Sequence, residues 1–294
     1  MEPSPIKGSN TALIGPAGTG KTFSTRTLYE IAGLRKIHLF TENSADRISD
    51  LPEAHWATVM PVPGSLPEMW EVAEQMNRLT FKELANLEGI HRERYQRFMD
   101  LLVVLNRFVD VRTGADLGAA TDWGPDTVLI IDGLSNIGTM ALQLIVGAKP
   151  NPDKGQWGSA MTMVFNLLLL LTTGLKCHLI LIAHTEPELD PNTNLNINML
   201  ATLGQKLAPK IPKMFSDVIL ARKDGLTYDW SNADSSTTTK AGLLPPALSM
   251  PPTFVPLFAA WQAKGGLFSP TYKENLTTEA PANSGPQPEA KPQT

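Results

Sequence analysis

The chain of 294 residues is short of cysteine, of positive charge and of long apolar runs, and each shortage closes off a class of protein. A single cysteine, Cys177, rules out an internal disulfide framework and fits a reducing compartment. It stands in an apolar run, so it reads as a buried, inert thiol rather than a nucleophile. Lys and Arg number 25 against 29 Asp and Glu, a net charge of −4, so a monomer does not coat nucleic acid by bulk charge. Any nucleic-acid contact has to come from local patches or from an assembled oligomer. The most apolar window, Met161 to Leu171, is too short to span a bilayer before Thr172-Thr173-Gly174 interrupts it. A buried helix is the expectation there, with no membrane partner. Met1 to Asn10 is polar and carries prolines, without the pattern of a signal peptide, which with the lone cysteine points to the cytoplasm. His38, His55, His91 and His178 are scattered without metal-ligand spacing, and no internal repeat is present.

What is present starts with Gly15-Pro16-Ala17-Gly18-Thr19-Gly20-Lys21-Thr22, which reads G-x-x-x-x-G-K-T, the phosphate-binding loop pattern. Thr11-Ala12-Leu13-Ile14 before it has the composition of a short buried strand. Lys21 to Ala32 after it has helical composition, and Gly33 suits the C′ position of that helix. Strand, glycine loop and helix together form the context the motif needs, where a chance glycine-rich turn lacks it. Gly15, Gly18 and Gly20 let the backbone bend around an anion with successive N–H groups pointing inward. Lys21 is expected to reach the β and γ phosphates of ATP, and the Thr22 hydroxyl to hold Mg²⁺.

A second strand is expected over Lys36–Thr41, ending at Glu42, and a short one over Thr58–Met60. Ser65 and Glu68 form a capping box. From Leu66 to about Arg112 apolar residues recur at threes and fours, which predicts a helical insertion (about 65–113). Its arginines (Arg92, Arg94, Arg97, Arg107 and Arg112) alternate with acids, so a solvated helix face is the default reading and a DNA-contacting patch the rival. Thr127–Asp132 reads as a strand, Gly147–Gly158 as a polar loop and Ser159–Thr173 as a buried helix. Cys177–Ala183 is a further strand, ending at His184, followed by a polar loop over 185–205. Asp217–Ala221 reads as another strand and Tyr228–Lys240 as a hairpin. Residues 1–9 are expected to be a loose leader, 10–265 one core, and 270–294 a disordered tail. Continuous apolar strands separated by helices predict an α/β fold with a mostly parallel sheet covered on both faces. In such folds nucleotide sits at the carboxyl ends of the strands, and the loop, Glu42, Asp132 and His184 all fall at such ends.

Asp132, closing the run Val128-Leu129-Ile130-Ile131, fits a carboxylate that binds Mg²⁺ beside Thr22; the plainer reading is a turn aspartate. Hydrolysis also needs a group that orients or deprotonates water. Gly133 follows Asp132, so no carboxylate stands next to it, and Glu42 is the candidate base. His184 would face the γ-phosphate region and report on it; otherwise it caps its strand and packs locally.

The order of these motifs resembles the RecA-type ATPase core over roughly residues 8–245, and among such proteins it is similar to phage-encoded RecA-like proteins, including the Sak-type single-strand-annealing recombinases. The resemblance implies an ATPase acting on single-stranded DNA in phage recombination or replication. It implies a homo-oligomer, with a single-strand-binding protein as a possible partner. It carries the catalytic glutamate onto Glu42, the sensor onto His184, and two DNA-facing loops onto about 147–158 and 185–205. It also implies a basic residue completing a neighbour's site, for which Lys240 is the first candidate and Lys206 the second. A P-loop small-molecule kinase and a non-catalytic, ATP-dependent assembly factor are the alternatives. The kinase reading is disfavoured by a late region whose one arginine is Arg222.

Overall fold

The computed structural model describes residues 6–268, apart from 87, 89, 90, 190–195 and 205. The apolar runs form strands β1 (Asn10–Gly15), β2 (Arg35–Phe40), β3 (His55–Thr58), β4 (Thr127–Asp132) and β5 (His178–Leu189). Strands β6 (Asn196–Leu200), β7 (Asp217–Asp224) and β8 (Thr227–Ser231) follow. The sheet order is β3-β2-β4-β5-β1-β7-β8, parallel except that β8 returns antiparallel to β7 and β6 antiparallel to the outer half of β5. This is the mostly parallel α/β architecture that the apolar runs predict.

Side chains along β1, β4, β5 and β7 alternate between two cores. Ala12, Ile14, Leu129, Ile131, Leu179 and Leu181 face one; Leu13, Val128, Ile130, Ile180 and Ile182 face the other. Helices α4 (Arg97–Asn106), α5 (Leu134–Val146) and α6 (Lys154–Gly174) close the first core. Leu28 and helix α7 (Val255–Ala263) close the second.

Several elements depart from the sequence reading, each for a local reason. The helix after the glycine loop is α-helical only over α1 (Lys21–Ser24) and continues as a 3₁₀ helix over Thr25–Glu30. Hydroxyls bend it: Ser24, Thr25 and Thr27 each donate to the carbonyl three residues back, at 2.6, 2.7 and 2.8 Å. Strand β3 lies earlier than Thr58–Met60, because pairing with β2 ends at Val59 and prolines 61 and 63 follow. The insertion is not one helical run. Helices α2 (Leu66–Arg78) and α3 (Phe81–Asn86) are separate, since Thr80 and Glu83 cap each other and restart the chain, and helix ends at Asn106. The predicted Ser65–Glu68 capping box is present.

Helix α6 begins inside the stretch read as a polar loop, because Asp153 and Gln156 form a second capping box, leaving a connection over 147–153. Its 21 residues are long and apolar enough to cross a membrane by length and composition. Ala160, Val164, Leu167, Leu168 and Leu171 are nonetheless buried in the first core. The stretch read as a loop over 185–205 is partly a β-ribbon: Thr185–Leu189 pairs with Asn196–Leu200. The hairpin is β7–β8, turning at 224–227, rather than one within Tyr228–Lys240. Within the stretch read as a leader, Gly8 N–H donates to the Lys176 carbonyl at 2.8 Å. The expected tail and residues 190–195 of the stretch read as a loop lie outside the described residues.

Candidate nucleotide-binding site

Parallel strands end on one side of the sheet, so their carboxyl-end residues meet. β5 lies between β1 and β4, which sets His184 opposite Gly15 and Asp132 opposite Ile182, while Phe40 pairs with Asp132 and leaves Glu42 just beyond. The loop leaving β1 turns through left-handed backbone at Gly18 and Gly20, both with φ 78°. A Cβ on Gly15 would stand 2.4 Å from the Ala221 carbonyl oxygen, so β7 can approach only a glycine there.

Lys21 is buried and its ammonium donates to the carbonyls of Gly15 (2.8 Å) and Pro16 (2.7 Å). Burial pushes its pKa down to about 8, opposed by the charges of Asp132 and Glu42. The ammonium stands 3.4 Å from Nδ1 of His184, whose Nε2 stands 3.1 Å from Oε2 of Glu42. A lysine only donates, which assigns Nδ1 as acceptor and places the proton on Nε2, facing the carboxylate. Thr22 Oγ1 donates to Asp132 Oδ2 at 2.6 Å, and Ser44 Oγ donates to the same oxygen at 3.0 Å. Burial raises the pKa of the Asp132 carboxyl above its ordinary range, against the hydrogen bonds from Thr22 and Ser44. The two hydroxyls and the carboxylate are hard oxygen donors of the kind Mg²⁺ takes.

Glu42 occupies the space beside Gly133: a Cβ on that glycine would lie 2.3 Å from Glu42 Oε1. Thr41 fixes the approach, accepting from Gly133 N–H at 2.8 Å and donating to its carbonyl at 2.5 Å. Asn136 of α5 donates to the Thr41 carbonyl at 2.7 Å.

Lys21, Thr22, Asp132, Glu42 and His184 are thus brought together, along with the whole loop from Gly15 through Pro16, Ala17, Gly18, Thr19 and Gly20. Lys240 is not. Its backbone pairs with Val218, level with Ala12 in the middle of β1, and its ammonium donates to the Phe215 carbonyl at 2.7 Å, toward the amino end of the sheet and away from the loop. Lys206 is exposed beside α6, near Phe165 and Lys210. Ser44, Thr41 and Asn136 escaped the sequence reading, because hydroxyls and amides near a strand end carry no spacing signal.

Fold and site together define an α/β protein with a phosphate-binding loop. Residues 7–241 match the family AAA_24, an AAA domain, and the chain belongs to that family. Among solved structures, the RadB recombinase aligns with a TM-score of 0.39 and 14% identity, over 84% of this chain and 87% of that one. No curated protein matches the chain in sequence.

Proposed function

We propose that this protein is a RecA-like ATPase that binds ATP with Mg²⁺, hydrolyses it, and works on single-stranded DNA as a homo-oligomer in phage recombination or replication. The observation that carries the ATPase reading is the convergence of Lys21, the Thr22–Asp132 pair and the His184–Glu42 pair on one glycine loop. In this reading loop N–H groups and Lys21 grip the phosphates, Lys21 exchanging the carbonyls of Gly15 and Pro16 for phosphate oxygens. Thr22, Asp132 and Ser44 hold Mg²⁺, which neutralises charge on the phosphates when bound. Glu42 orients the attacking water and takes its proton. His184 holds the Glu42 carboxylate through Nε2–H, and so acts as a positioning residue. It also starts the stretch of β5 that runs on into the ribbon, a route by which phosphate occupancy reaches the surface.

The DNA part of the reading rests on a smaller feature. Lys206, Lys210 and Lys213 lie along one segment, and the Lys210 ammonium sits 5.8 Å from the Phe165 ring centroid. Cations beside an aromatic ring suit a flexible strand with exposed bases. The trans-acting cation remains assigned to Lys240 or Lys206.

The test is ATP turnover by the purified protein with and without single-stranded DNA, alongside Lys21→Ala and Glu42→Gln. Turnover stimulated by the strand and lost in both variants supports the whole reading. Turnover indifferent to DNA keeps the ATPase and removes the recombination role.

A further inference from the structure

A nucleotide gripped from Gly15 to Thr22 leaves its sugar and base to lie across the surface beside the loop. Among the described residues, two exposed aromatic side chains border that loop, Phe23 (62% exposed) and Tyr228 (41%). They are not equivalent. Phe23 already carries the Arg26 guanidinium, 5.6 Å from its ring centroid, and two hydrogen bonds to Asp50 at 2.6 and 2.7 Å pin that guanidinium.

Tyr228 is placed differently. Two residues along β8, Trp230 is buried with Leu28 and Phe254 in the second core, so period two sets Tyr228 on the face that carries the loop and the segment after it. Its Cδ1 and Cε1 stand 3.3 and 3.5 Å from the position of a Cβ on Gly20. Gly20 therefore has two reasons to be glycine, its φ of 78° and the ring beside it. Lys223 is the direct cross-strand partner of Tyr228, and its ammonium lies 5.4 Å from the ring centroid. No carboxylate pairs with Lys223 among the described residues, so a phosphate can draw it away where Arg26 is held.

We propose that Tyr228 and Lys223 form a nucleoside clip on the β7–β8 hairpin. Tyr228 offers its ring face to the nucleobase, and Lys223 leaves that face for the phosphate oxygens as the base arrives. The ligand class is a nucleoside triphosphate, and the clip distinguishes it from bare polyphosphate. This inference rests on the nucleotide-binding reading above and names its specificity-determining residues.

The experiment is calorimetric titration of the full chain with ATP and, separately, with inorganic tripolyphosphate. Tyr228→Ala is expected to weaken ATP about tenfold or more, as loss of a stacked base does, while tripolyphosphate changes less than about twofold. Tyr228→Phe keeps the ring and keeps ATP affinity. Lys223→Ala weakens both ligands, by about threefold for one exposed charge. An unchanged ATP affinity in Tyr228→Ala, or equal losses for both ligands, overturns the clip. Wild-type protein that binds neither ligand overturns the nucleotide reading itself, a result separate from either of these.

Discussion

Gly133 and Glu42 illustrate how a missing side chain sets the chemistry of a site. A residue larger than glycine at 133 would put its Cβ 2.3 Å from Glu42 Oε1, so the carboxylate from β2 and any side chain after Asp132 exclude each other. The φ of Gly133 is −144°, in the extended region open to alanine. Gly133→Ala is therefore expected to fold, to bind ATP, and to lose turnover by about a hundredfold or more as Glu42 is displaced. Equal turnover in the variant, measured beside ATP binding, would remove Glu42 from its role. Two other residues make a pH prediction. His38, stacked between Tyr29 and Phe40, and His178, bonded through Nδ1 to Ser9, are both pushed down to about 3 by burial. Between about pH 3 and 6.5 the unfolded chain holds protons that the native chain does not, so stability falls as the pH drops through that window. From pH 7 to pH 5 each histidine removes about 2 kcal/mol, at about 1.4 kcal/mol per pH unit below its ordinary value. Urea unfolding at the two pH values should show this slope, and His38→Phe should lower it; an identical slope in the variant contradicts the assignment.

Elements were legible in the sequence wherever one local rule decided them. The runs that became β1, β4 and β7 are apolar on both faces and β2 on the face of Ile37 and Leu39, so the carboxyl-end residues they present follow from the apolar pattern alone. Ser65 with Glu68 announced α2 for the same reason. Elements decided by competition were not legible. Three hydroxyls turn the segment after α1 into a 3₁₀ helix despite its helical composition, and the Asp153–Gln156 box hides among glycine and proline. Helix α5 starts at Gly133 without a side-chain cap, and the outer half of β5 becomes strand only because β6 returns to it. The segment after β8 depends on a contact equally remote. Asp217, fully buried at the start of β7, accepts the N–H groups of Gly242, Leu243 and Leu244 at 3.0–3.3 Å. Asp217→Ala strands those donors and should cost roughly 3 kcal/mol, by the usual penalty for buried unsatisfied groups. A urea midpoint equal to wild type would show that water or a shifted 242–244 segment replaces the carboxylate.

At the scale of the molecule, the family match ends at residue 241 while the second core does not. Helix α7 lies beyond that boundary and supplies Leu257, Phe258 and Trp261, with Phe254 ahead of it, all buried against the sheet. Trp261 also joins α7 to the segment before β1, donating Nε1–H to the Lys7 carbonyl at 2.9 Å. Its ring packs on His178 at the start of β5, with centroids 4.5 Å apart. A chain truncated after Gly242 keeps every residue of the nucleotide site but uncovers Leu13, Ile130, Ile180, Ile182 and Trp230. Large-to-small changes at buried aromatic positions cost about 3–5 kcal/mol each. Removing Phe254, Phe258, Trp261 and Leu257 together thus costs on the order of 10 kcal/mol or more, comparable with the roughly 5–15 kcal/mol that holds a typical domain. The truncated chain is expected to show no cooperative urea transition and no ATP binding, although its site residues are intact. Trp261→Ala in the full chain, losing about 3 kcal/mol or more, grades the same contact without deleting it. A truncated chain that unfolds cooperatively near the wild-type midpoint would mean that the sheet closes its second face without α7, and that the family boundary marks the folding unit.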